Sequence, residues 1–362
     1  MGSETRLAAL RRKLAGSADA FVSTNPANVL FLTGFLGVFD EEPSSLVLLT
    51  ADGQWVVTDS RYAQAVGTSA DGTPWQVVIG TSDLATTCSG ILKSTGSERV
   101  AVDTTMSHRR WRRFEDVLDM KVVEANGWVE ELRAIKDVGE VAAITAAQEL
   151  TERALEHILC GRVREGATER EIALELEMFM RRQGSDGVAF PPIVASGPHS
   201  ALPHSRPADR ALVRGDFVVL DFGARIDGYC ADMTRTVVIG AASDRQREIY
   251  DVVLAANAAG TAAVRAGASG REIDAAAREI IVAAGFGENF GHGLGHGVGL
   301  EVHELPSVGP RSEDPVLLDS VITIEPGIYV PEYGGVRIED LVVVEAAVGR
   351  VLTRSAKDRI EL

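Results

Sequence analysis

The sequence predicts two domains: an α/β domain at the N-terminus and an α+β domain at the C-terminus that is built as an internal repeat. The length of 362 residues suits two domains of ordinary size better than one. Short apolar runs separated by turn signals fill the first third of the chain, and a ten-residue segment occurs twice in the remainder. We place the boundary after residue 132, which gives domains of residues 1–132 and 133–362.

The first domain is predicted to open with an amphipathic helix and to continue as short strands. Leu7, Leu10 and Leu14 follow helical spacing in a charged N-terminal segment. The apolar runs that we interpret as strands are Leu46–Leu49, Trp55–Thr58, Val100–Asp103 and Lys121–Glu124. We find no catalytic constellation in this domain.

Charge and composition exclude several classes of function. The chain has 36 Lys and Arg against 52 Asp and Glu, a net charge of −16 that repels a phosphate backbone and argues against nucleic-acid binding. No apolar run is long enough to span a bilayer, and the N-terminus lacks the apolar stretch of a signal peptide. Three widely spaced cysteines fit a reducing compartment, so we expect a cytoplasmic protein without membrane partners.

The second domain contains the repeat. Asp137, followed by Glu140, marks the start of its first helix. Residues 163–172 read VREGATEREI and residues 264–273 read VRAGASGREI, identical at 7 of 10 positions. In each copy a Thr or Ser stands three residues before a Glu, the pattern of a helix-opening capping box. The repeat therefore predicts two related α+β halves, each with two helices followed by strands.

Two aspartates are predicted to meet on a hairpin in the first half. Asp221 and Asp232 lie on its two arms, and Asp227-Gly228 is a hairpin turn signal. A turn centred between Ile226 and Asp227 would place the aspartates directly opposite each other. With Asp227-Gly228 as the central pair they would be offset by two residues and still share a face. In either register the two carboxylates repel each other unless a cation lies between them.

The second half repeats this arrangement with glutamates. Residues 321–325 and 335–344 have strand character, with proline and glycine in the turn between them. Glu325 and Glu339 therefore occupy positions analogous to those of the two aspartates. Burying such carboxylates unpaired would cost several kcal/mol each. Arg337 could pair with Glu339, which would account for one carboxylate but not for four.

A glycine-rich segment supplies histidines beside these strands. Glycine alternates strictly over residues 291–299, which argues against a helix and for an extended chain. His292, Leu294 and His296 would then point to one face, towards a site that the glycines allow the backbone to approach. His303 follows shortly after. Beside four strand carboxylates, this cluster of histidines indicates a metal site.

The donor set indicates the number and kind of ions. Two divalent cations would balance the charge of the four carboxylates, whereas a single ion would leave an excess of negative charge. Mixed oxygen and nitrogen ligands suit Mn²⁺, Co²⁺ or Zn²⁺ better than Ca²⁺. Two such ions can share a hydroxide and hold a carbonyl oxygen, so the residues predict a two-metal hydrolase whose ligands are the four carboxylates and a histidine of this cluster.

Several segments together resemble one family, the pita-bread metallopeptidases (M24), in the subgroup of Xaa-Pro aminopeptidases and Xaa-Pro dipeptidases, or prolidases. The segments are VVLDFGARIDGYCADMTRT, HGLGHGVGLEVHELP, TIEPGIY and GVRIEDLVVV, joined by FLTGF at residues 31–35. The resemblance covers essentially the whole chain. It implies a creatinase-like N-terminal domain followed by a pita-bread domain with an internal pseudo-twofold repeat.

The resemblance also implies roles for the five ligands. Asp221 would hold one metal ion, while His296 and Glu325 would hold the other. Asp232 and Glu339 would bridge both ions. Glu325 would in addition take the proton from an attacking, metal-bridging hydroxide or water and deliver it to the leaving nitrogen.

Four further residues match the family's active-site positions. His204, in SALPHSRP, corresponds to a substrate-site histidine, and His292 and His303 correspond to two more. Arg337 corresponds to the arginine beside the bridging glutamate. None of the matched positions departs from the pattern of the family, so a degenerate, metal-free relative is not expected.

The resulting functional hypothesis is a cytoplasmic dinuclear peptidase that cleaves the Xaa-Pro bond of proline-containing peptides. By resemblance we expect two Mn²⁺ ions, with Co²⁺ or Zn²⁺ as alternatives, and a homodimer or higher homo-oligomer. Another pita-bread hydrolase, such as a methionine aminopeptidase, is an alternative, against which the long N-terminal domain and the HELP segment at residues 303–306 count. A non-catalytic binding homologue is the third, and loss of ligands would be its mark.

Overall fold

A computed structural model describes residues 3–39 and 44–362 of the chain. The chain divides into two units, Met1–Arg133 and Ala134–Leu362. The predicted N-terminal helix runs over Ser3–Leu14 and buries Leu7, Leu10 and Leu14, while Met1 and Gly2 lie outside the described residues. Among the helices of the described part, none is long and apolar enough to cross a bilayer.

The first unit is built around one mixed sheet. Its helices are α1 (Ser3–Leu14), α2 (Pro26–Thr33), α3 (Ala63–Ala70), α4 (Leu84–Ser94), α5 (His108–Val117) and α6 (Glu130–Arg133). Its strands are β1 (Ala20–Ser23), β2 (Ser45–Thr50), β3 (Gln54–Thr58), β4 (Gln76–Ile79), β5 (Arg99–Asp103) and β6 (Lys121–Ala125). The sheet order is β4-β3-β2-β1-β5-β6, with β1 antiparallel to β2 and parallel to β5. This is the α/β fold that the sequence predicts.

The four strands predicted in this unit are all present, and its described residues contain two further strands that the sequence analysis did not predict. The central strand β1 is a four-residue segment that is buried along its whole length. Its burial on both faces leaves no polar–apolar alternation to reveal it. The edge strand β4 is half exposed, so it also lacks a clear pattern.

The second unit carries the longer helices and the remaining strands. The helices are α7 (Val138–Leu159), α8 (Glu169–Arg182), α9 (Asp244–Ala263) and α10 (Gly270–Ala283). The strands of the first half are β7 (Gly187–Val188), β8 (Ile193–Ser196), β9 (Phe217–Phe222), β10 (Ala224–Ile226), β11 (Tyr229–Cys230) and β12 (Met233–Val238). Those that follow are β13 (Gly295–Gly297), β14 (Glu304–Val308), β15 (Val321–Ile324), β16 (Gly327–Val330), β17 (Gly334–Arg337), β18 (Asp340–Val343), β19 (Arg350–Val351) and β20 (Ile360–Glu361).

The internal repeat is visible in both the helices and the core. Each of the four long helices opens with a capping box, on Asp137, Thr168, Ser243 and Ser269. The first half packs α7, α8, β8, β9 and β12 around one apolar cluster. The second half packs α9, α10, β15 and β18 around another. Two helices followed by strands, twice over, is the α+β arrangement that the repeat predicts.

Candidate metal centre

A cavity of about 510 Å³ in the second unit gathers the residues that the sequence singled out. Strands from both halves contribute to its wall, and the four carboxylates stand where strands end or begin. All nine predicted residues line it: His204, Asp221, Asp232, His292, His296, His303, Glu325, Arg337 and Glu339. A volume of this size is within the usual range of small-molecule sites.

The aspartates lie diagonally across their hairpin. Asp221 of β9 is paired with Thr234 of β12, so Asp232 is offset from it by two residues. This is the second of the two registers that the sequence allowed. Asp227 and Gly228 form the turn, with φ of 51° and 79°, and two successive positive φ values are what a type I′ hairpin turn requires.

The glutamates lie directly opposite each other. Ile324 is paired with Asp340, and continuing this register by one residue aligns Glu325 with Glu339. Beyond the two glutamates, where β16 pairs with β17, Gly327 is paired with Arg337 in the same register. Both carboxyl groups therefore project from adjacent strands at the point where β15 ends and β18 begins.

His296 is placed by the glycines on either side of it. A Cβ added to Gly295 would lie 2.0 Å from the Thr323 carbonyl oxygen, and one added to Gly297 would lie 2.1 Å from that of Leu305. Only glycine allows such close strand packing. The His296 backbone N–H donates to Thr323 Oγ1 at 3.0 Å, which fixes the residue against β15.

The His296 ring presents one nitrogen to the carboxylates. Its Nδ1 lies 3.1 Å from the Gly297 carbonyl oxygen, a contact that places the ring proton on Nδ1. Nε2 faces the acids, 3.2 Å from Glu325 Oε1 and 3.7 Å from Asp232 Oδ2. Without a metal ion a proton on Nε2 is shared with Glu325, and a divalent ion in place of that proton would meet the ring in the orientation of a metal ligand.

The extended conformation is shorter than the glycine pattern predicts. The strand covers only Gly295–Gly297, and the period of two does not extend beyond it. The prediction that Leu294 shares a face with His292 and His296 is wrong, because Leu294 is fully buried in the apolar cluster of the second half. Its backbone N–H is held there by Asp274 Oδ1 at 3.1 Å.

Arg337 is bound to the first aspartate and not to the neighbouring glutamate. Its Nη2 donates to Asp221 Oδ2 at 2.5 Å and its Nε donates to Thr234 Oγ1 at 3.0 Å. The partner is Asp221 because β17 packs against β9. Thr234 Oγ1 donates in turn to Glu339 Oε2 at 2.7 Å, so one threonine links the arginine to the glutamate.

Tyr329 is a site residue that the sequence reasoning did not assign. Its hydroxyl accepts from Arg337 Nη1 at 2.7 Å and lies 3.0 Å from His292 Nε2. Burial raises the pKa of Tyr329 to about 12. The residue stands in the segment TIEPGIY, but an uncharged side chain in an apolar strand carries no separate signal.

The carboxyl groups are in an unfavourable environment without a cation. Burial raises the pKa of Asp232 and that of Glu339 well above the usual range, and the neighbouring carboxylates raise both further. Burial also raises the pKa of Asp221, although Arg337 opposes it. Burial raises the pKa of Glu325 as well, but the hydrogen bond and charge of His296 outweigh it and hold that pKa at about 2.

The residues fit divalent metal ions. Asp221 Oδ1, Asp232 Oδ1 and Glu339 Oε1 are buried and lack a hydrogen-bond partner among the described residues. Such orphaned acceptors are costly unless a cation or donor satisfies them. Asp232, His296 and Glu339 each offer a ligand atom, and these atoms lie within 4.8 Å of one another. Oxygen and imidazole donors together suit a divalent transition-metal ion.

The other histidines surround this cluster. The His303 ring lies edge-on to the His296 ring, with 4.3 Å between centroids. His292 packs against Phe290 and Tyr329. His204 is exposed in the loop before β9 and faces the cavity from there. An apolar stretch, residues 190–193, lines the cavity as well.

This is a metal centre of buried carboxylates and one imidazole, and comparison with known proteins identifies its class. The model of metallopeptidase family M24 matches residues 142–346, and that of the creatinase/prolidase N-terminal domain matches residues 6–135. The chain therefore belongs to metallopeptidase family M24. This confirms the predicted fold class, a creatinase-like α/β domain followed by a pita-bread α+β domain, and it confirms that the protein is a divalent-metal-dependent peptidase.

Individual relatives extend over most of the chain. A Xaa-Pro dipeptidase of Pyrococcus furiosus is 40% identical over 74% of this chain and 76% of its own length. The structure of a Xaa-Pro dipeptidase from Bacillus anthracis superposes with a TM-score of 0.94 at 36% identity and covers 100% of both chains. The structure of an X-Pro aminopeptidase from Thermotoga maritima superposes with a TM-score of 0.87 at 36% identity. The superposition covers 97% of this chain and 99% of that aminopeptidase.

Proposed function

We propose that this protein hydrolyses the peptide bond between an N-terminal residue and proline. The observation that carries the proposal is the buried cluster of four carboxylates and His296, whose orphaned oxygens call for cations. The relatives described above as Xaa-Pro dipeptidases and an X-Pro aminopeptidase support the choice of substrate. The apolar stretch at residues 190–193 offers a surface on which a proline ring can be buried.

Two divalent ions would be held by the five ligands. Asp221 would hold one ion, His296 and Glu325 the other, and Asp232 and Glu339 would bridge them. When bound, such ions polarise the substrate carbonyl and activate water at neutral pH. We propose Mn²⁺ as the resident metal, with Co²⁺ or Zn²⁺ as the alternatives that the donor set also accommodates.

The protein's own residues would move the proton and orient the peptide. Glu325 accepts the proton of the attacking water on a carboxylate oxygen and delivers it to the proline nitrogen, which is a poor leaving group unless protonated. His303 and His292 donate hydrogen bonds that position the substrate carbonyl, and His204 contacts the peptide at the cavity edge. Arg337 holds Asp221 in place.

The proposal is tested on the purified chain with a panel of peptides. We expect the metal-loaded protein to cleave Xaa-Pro substrates drawn from Ala-Pro, Gly-Pro and Ala-Pro-Ala, and to leave Met-initial peptides without proline intact. Metal analysis should find about two ions per chain. Cleavage of Met-initial peptides instead would indicate a methionine aminopeptidase, and a metal-free, inactive chain would indicate a binding homologue.

A single substitution tests the role of Glu325. We expect Glu325→Ala to lose activity on Ala-Pro even in preparations where metal analysis still finds bound ions. Full activity in that variant would remove Glu325 from the proton transfer. Glu288→Ala, a change in a short 3₁₀ segment outside the cavity, is the matched control and should leave activity unchanged.

Three finer assignments complete the proposal. We propose residues 1–132 and 133–362 as the two domains, with a cytoplasmic location and a homodimer or higher homo-oligomer as the functional form. The net charge of −16 supports the absence of nucleic-acid partners. Light scattering on the purified protein measures the oligomeric state directly, and a monomer at working concentration would contradict this part.

A further inference from the structure

The charges that line the cavity pose a problem for one end of a short peptide. Four carboxylates converge at its base, and a peptide that ends at proline brings a carboxylate of its own. Such a group is bound well only where a cation stands apart from the buried acids. Among the described lining residues, the permanently charged cations are Arg206 and Arg337.

Arg337 is already committed to the protein. It is 3% exposed, and its three guanidinium nitrogens donate to Asp221, Thr234 and Tyr329. Turning towards a substrate would leave the Asp221 carboxylate buried without its ion pair, at a cost of several kcal/mol. Arg337 is therefore part of the scaffold of the metal centre.

Arg206, in contrast to Arg337, is free to bind a substrate group. Its side chain is exposed, and none of the described residues forms a hydrogen bond or an ion pair with it. It lies in the loop PHSRP, where Ser205 is buried and donates its N–H to Leu202 O at 3.1 Å. Pro203 and Pro207 fix φ at both ends of this loop, which limits its conformations.

The loop presents Arg206 together with a residue already assigned to substrate binding. The burial pattern over His204, Ser205 and Arg206 is exposed, buried, exposed, so both flanking side chains lie on the solvent side of the loop. Both also line the cavity, as do the prolines beside them. A guanidinium at this position can bind a carboxylate through two parallel hydrogen bonds.

We propose that Arg206 binds the free carboxylate of a substrate that ends at the residue after the cleaved bond, and so makes the enzyme a dipeptidase. This inference rests on the proposed Xaa-Pro activity. A longer peptide has an uncharged amide at that position and gains nothing from the guanidinium. Arg206 is thus a specificity residue, and the bond-breaking groups do not depend on it.

The test compares substrates that differ only in this group. In the metal-loaded enzyme we expect Arg206→Gln to raise KM for Ala-Pro by about 10- to 100-fold, the loss expected for a hydrogen bond to a charged group. We expect less than about a twofold change in kcat, and less than about a twofold change in KM for Ala-Pro amide. R206K keeps the charge and should recover part of the affinity.

A binding measurement without turnover gives a second readout. Calorimetry should show that proline binds the wild-type holoenzyme more tightly than prolinamide does, and that R206Q abolishes this difference. R182Q changes an exposed arginine at the end of α8, outside the cavity, and should leave every quantity unchanged. It controls for the loss of one surface charge.

The outcomes separate the two proposals. An active wild type whose preference for Ala-Pro over its amide survives in R206Q overturns the role of Arg206 and leaves the Xaa-Pro activity standing. A wild type that prefers Ala-Pro-Ala to Ala-Pro also overturns it. A wild type that cleaves none of the Xaa-Pro substrates overturns the proposed function, and this inference with it.

Discussion

In the first half of the second unit Thr168 caps a helix and forms a β-bridge to Ala211, and in the second half Ser269 caps a helix and bridges Pro315 in the same way. Asp221 and Glu325 stand ten residues after Ala211 and Pro315, respectively. Asp221 lies near the end of β9, and Glu325 directly follows β15. The two halves therefore place one carboxylate by the same backbone path.

The neighbouring positions differ between the halves. In the first half, Thr234 lies opposite Asp221 in the strand register. At the corresponding position of the second half, Glu339 lies opposite Glu325. Two residues earlier in the chain, Asp232 in the first half is matched by Arg337 in the second. The carboxylate pairs are thus diagonal in one half and direct in the other.

The histidine shows the same divergence. His296 stands 27 residues after its helix cap, and the residue 27 positions after Thr168 is Ala195. Ala195 is buried beside Val219, whereas His296 reaches the carboxylates. One half supplies only oxygen donors and the other adds a nitrogen, so the two proposed ions have different surroundings. The repeated backbone therefore places corresponding residues of the two halves around the site, and the positions at which the halves differ in sequence make the two proposed ion sites unequal.

Removing a carboxylate from the direct pair should have the largest effect. We expect Glu339→Gln to lower activity by about a thousandfold or more, because metal ions contribute several kcal/mol to transition-state stabilisation. Metal analysis should show reduced occupancy. Without metal, the variant should be at least as stable as the wild type, because a neutral amide replaces a carboxyl buried among three others.

Thermal unfolding with and without a chelator checks this prediction. Bound metal should raise the Tm of the wild type far more than that of E339Q, because ligands that bind only the folded state stabilise it. D232N, on the diagonal pair, is the counterpart from the first half. If only one of the two variants lost its metal-dependent stabilisation, the two pairs would not contribute equally to holding the ions.

The glycines around His296 should give the next largest effect, because the matching position in the first half, Ala195, has Val194 and Ser196 beside it and no glycine. We expect Gly295→Ala to destabilise the protein by about 1–3 kcal/mol or more, since its Cβ would lie 2.0 Å from the Thr323 carbonyl oxygen. Metal affinity should fall as His296 shifts. Gly291→Ala, with nothing within 4 Å, is the matched control.

Urea unfolding and metal titration measure both changes. G291A should stay within about 0.5 kcal/mol of the wild type. Equal stability of G295A and G291A would mean that the close strand contact is not needed to place the histidine.

Thr234 tests the position at which the halves differ by a polar but uncharged residue. We expect Thr234→Val to cost about 1–3 kcal/mol in the free energy of unfolding, because Arg337 Nε loses its buried acceptor and Glu339 its buried donor. Thr234→Ser keeps the hydroxyl and should recover most of the loss. A valine variant as stable as the serine variant would show that this link is dispensable.

The sequence predicted the carboxylates because each interrupts an apolar strand, where an unpaired charge has a high cost. It left two registers open for the aspartates, because a hairpin register depends on which residues adopt positive φ. The structure brings all nine predicted residues to one cavity, and their individual roles stay predictions.

Other features could not be predicted from local patterns. Tyr329 contacts His292 and Thr234 donates to Glu339, both far away in sequence, and neither side chain looks unusual in a strand. Leu294 was misplaced because alternation identifies a face only while the chain stays extended. The strand β1 was missed because both of its faces are buried. Each of these features depends on a contact between parts of the chain that are far apart in sequence, such as the pairing of β1 with β5 or the bond from the Leu294 N–H to Asp274.

The helix caps are the feature that the halves share most closely, so they should give the smallest and most equal effects. The Thr168 hydroxyl accepts the Glu171 N–H at 3.2 Å, and the Ser269 hydroxyl accepts that of Glu272 at 3.1 Å. We expect Thr168→Ala and Ser269→Ala each to cost about 1 kcal/mol in the free energy of unfolding. Because the sites share no partner, the double variant should lose the sum.

Chemical denaturation of the three variants measures this equivalence. The residue after each cap differs, since Glu169 is buried and accepts from Ser196, whereas Gly270 has no side chain. A markedly larger loss for T168A would therefore mean that its cap also holds Glu169 in place. The caps would then be equivalent in backbone geometry but not in energy, and the divergence between the halves would begin at the first helical residue and not at the metal centre.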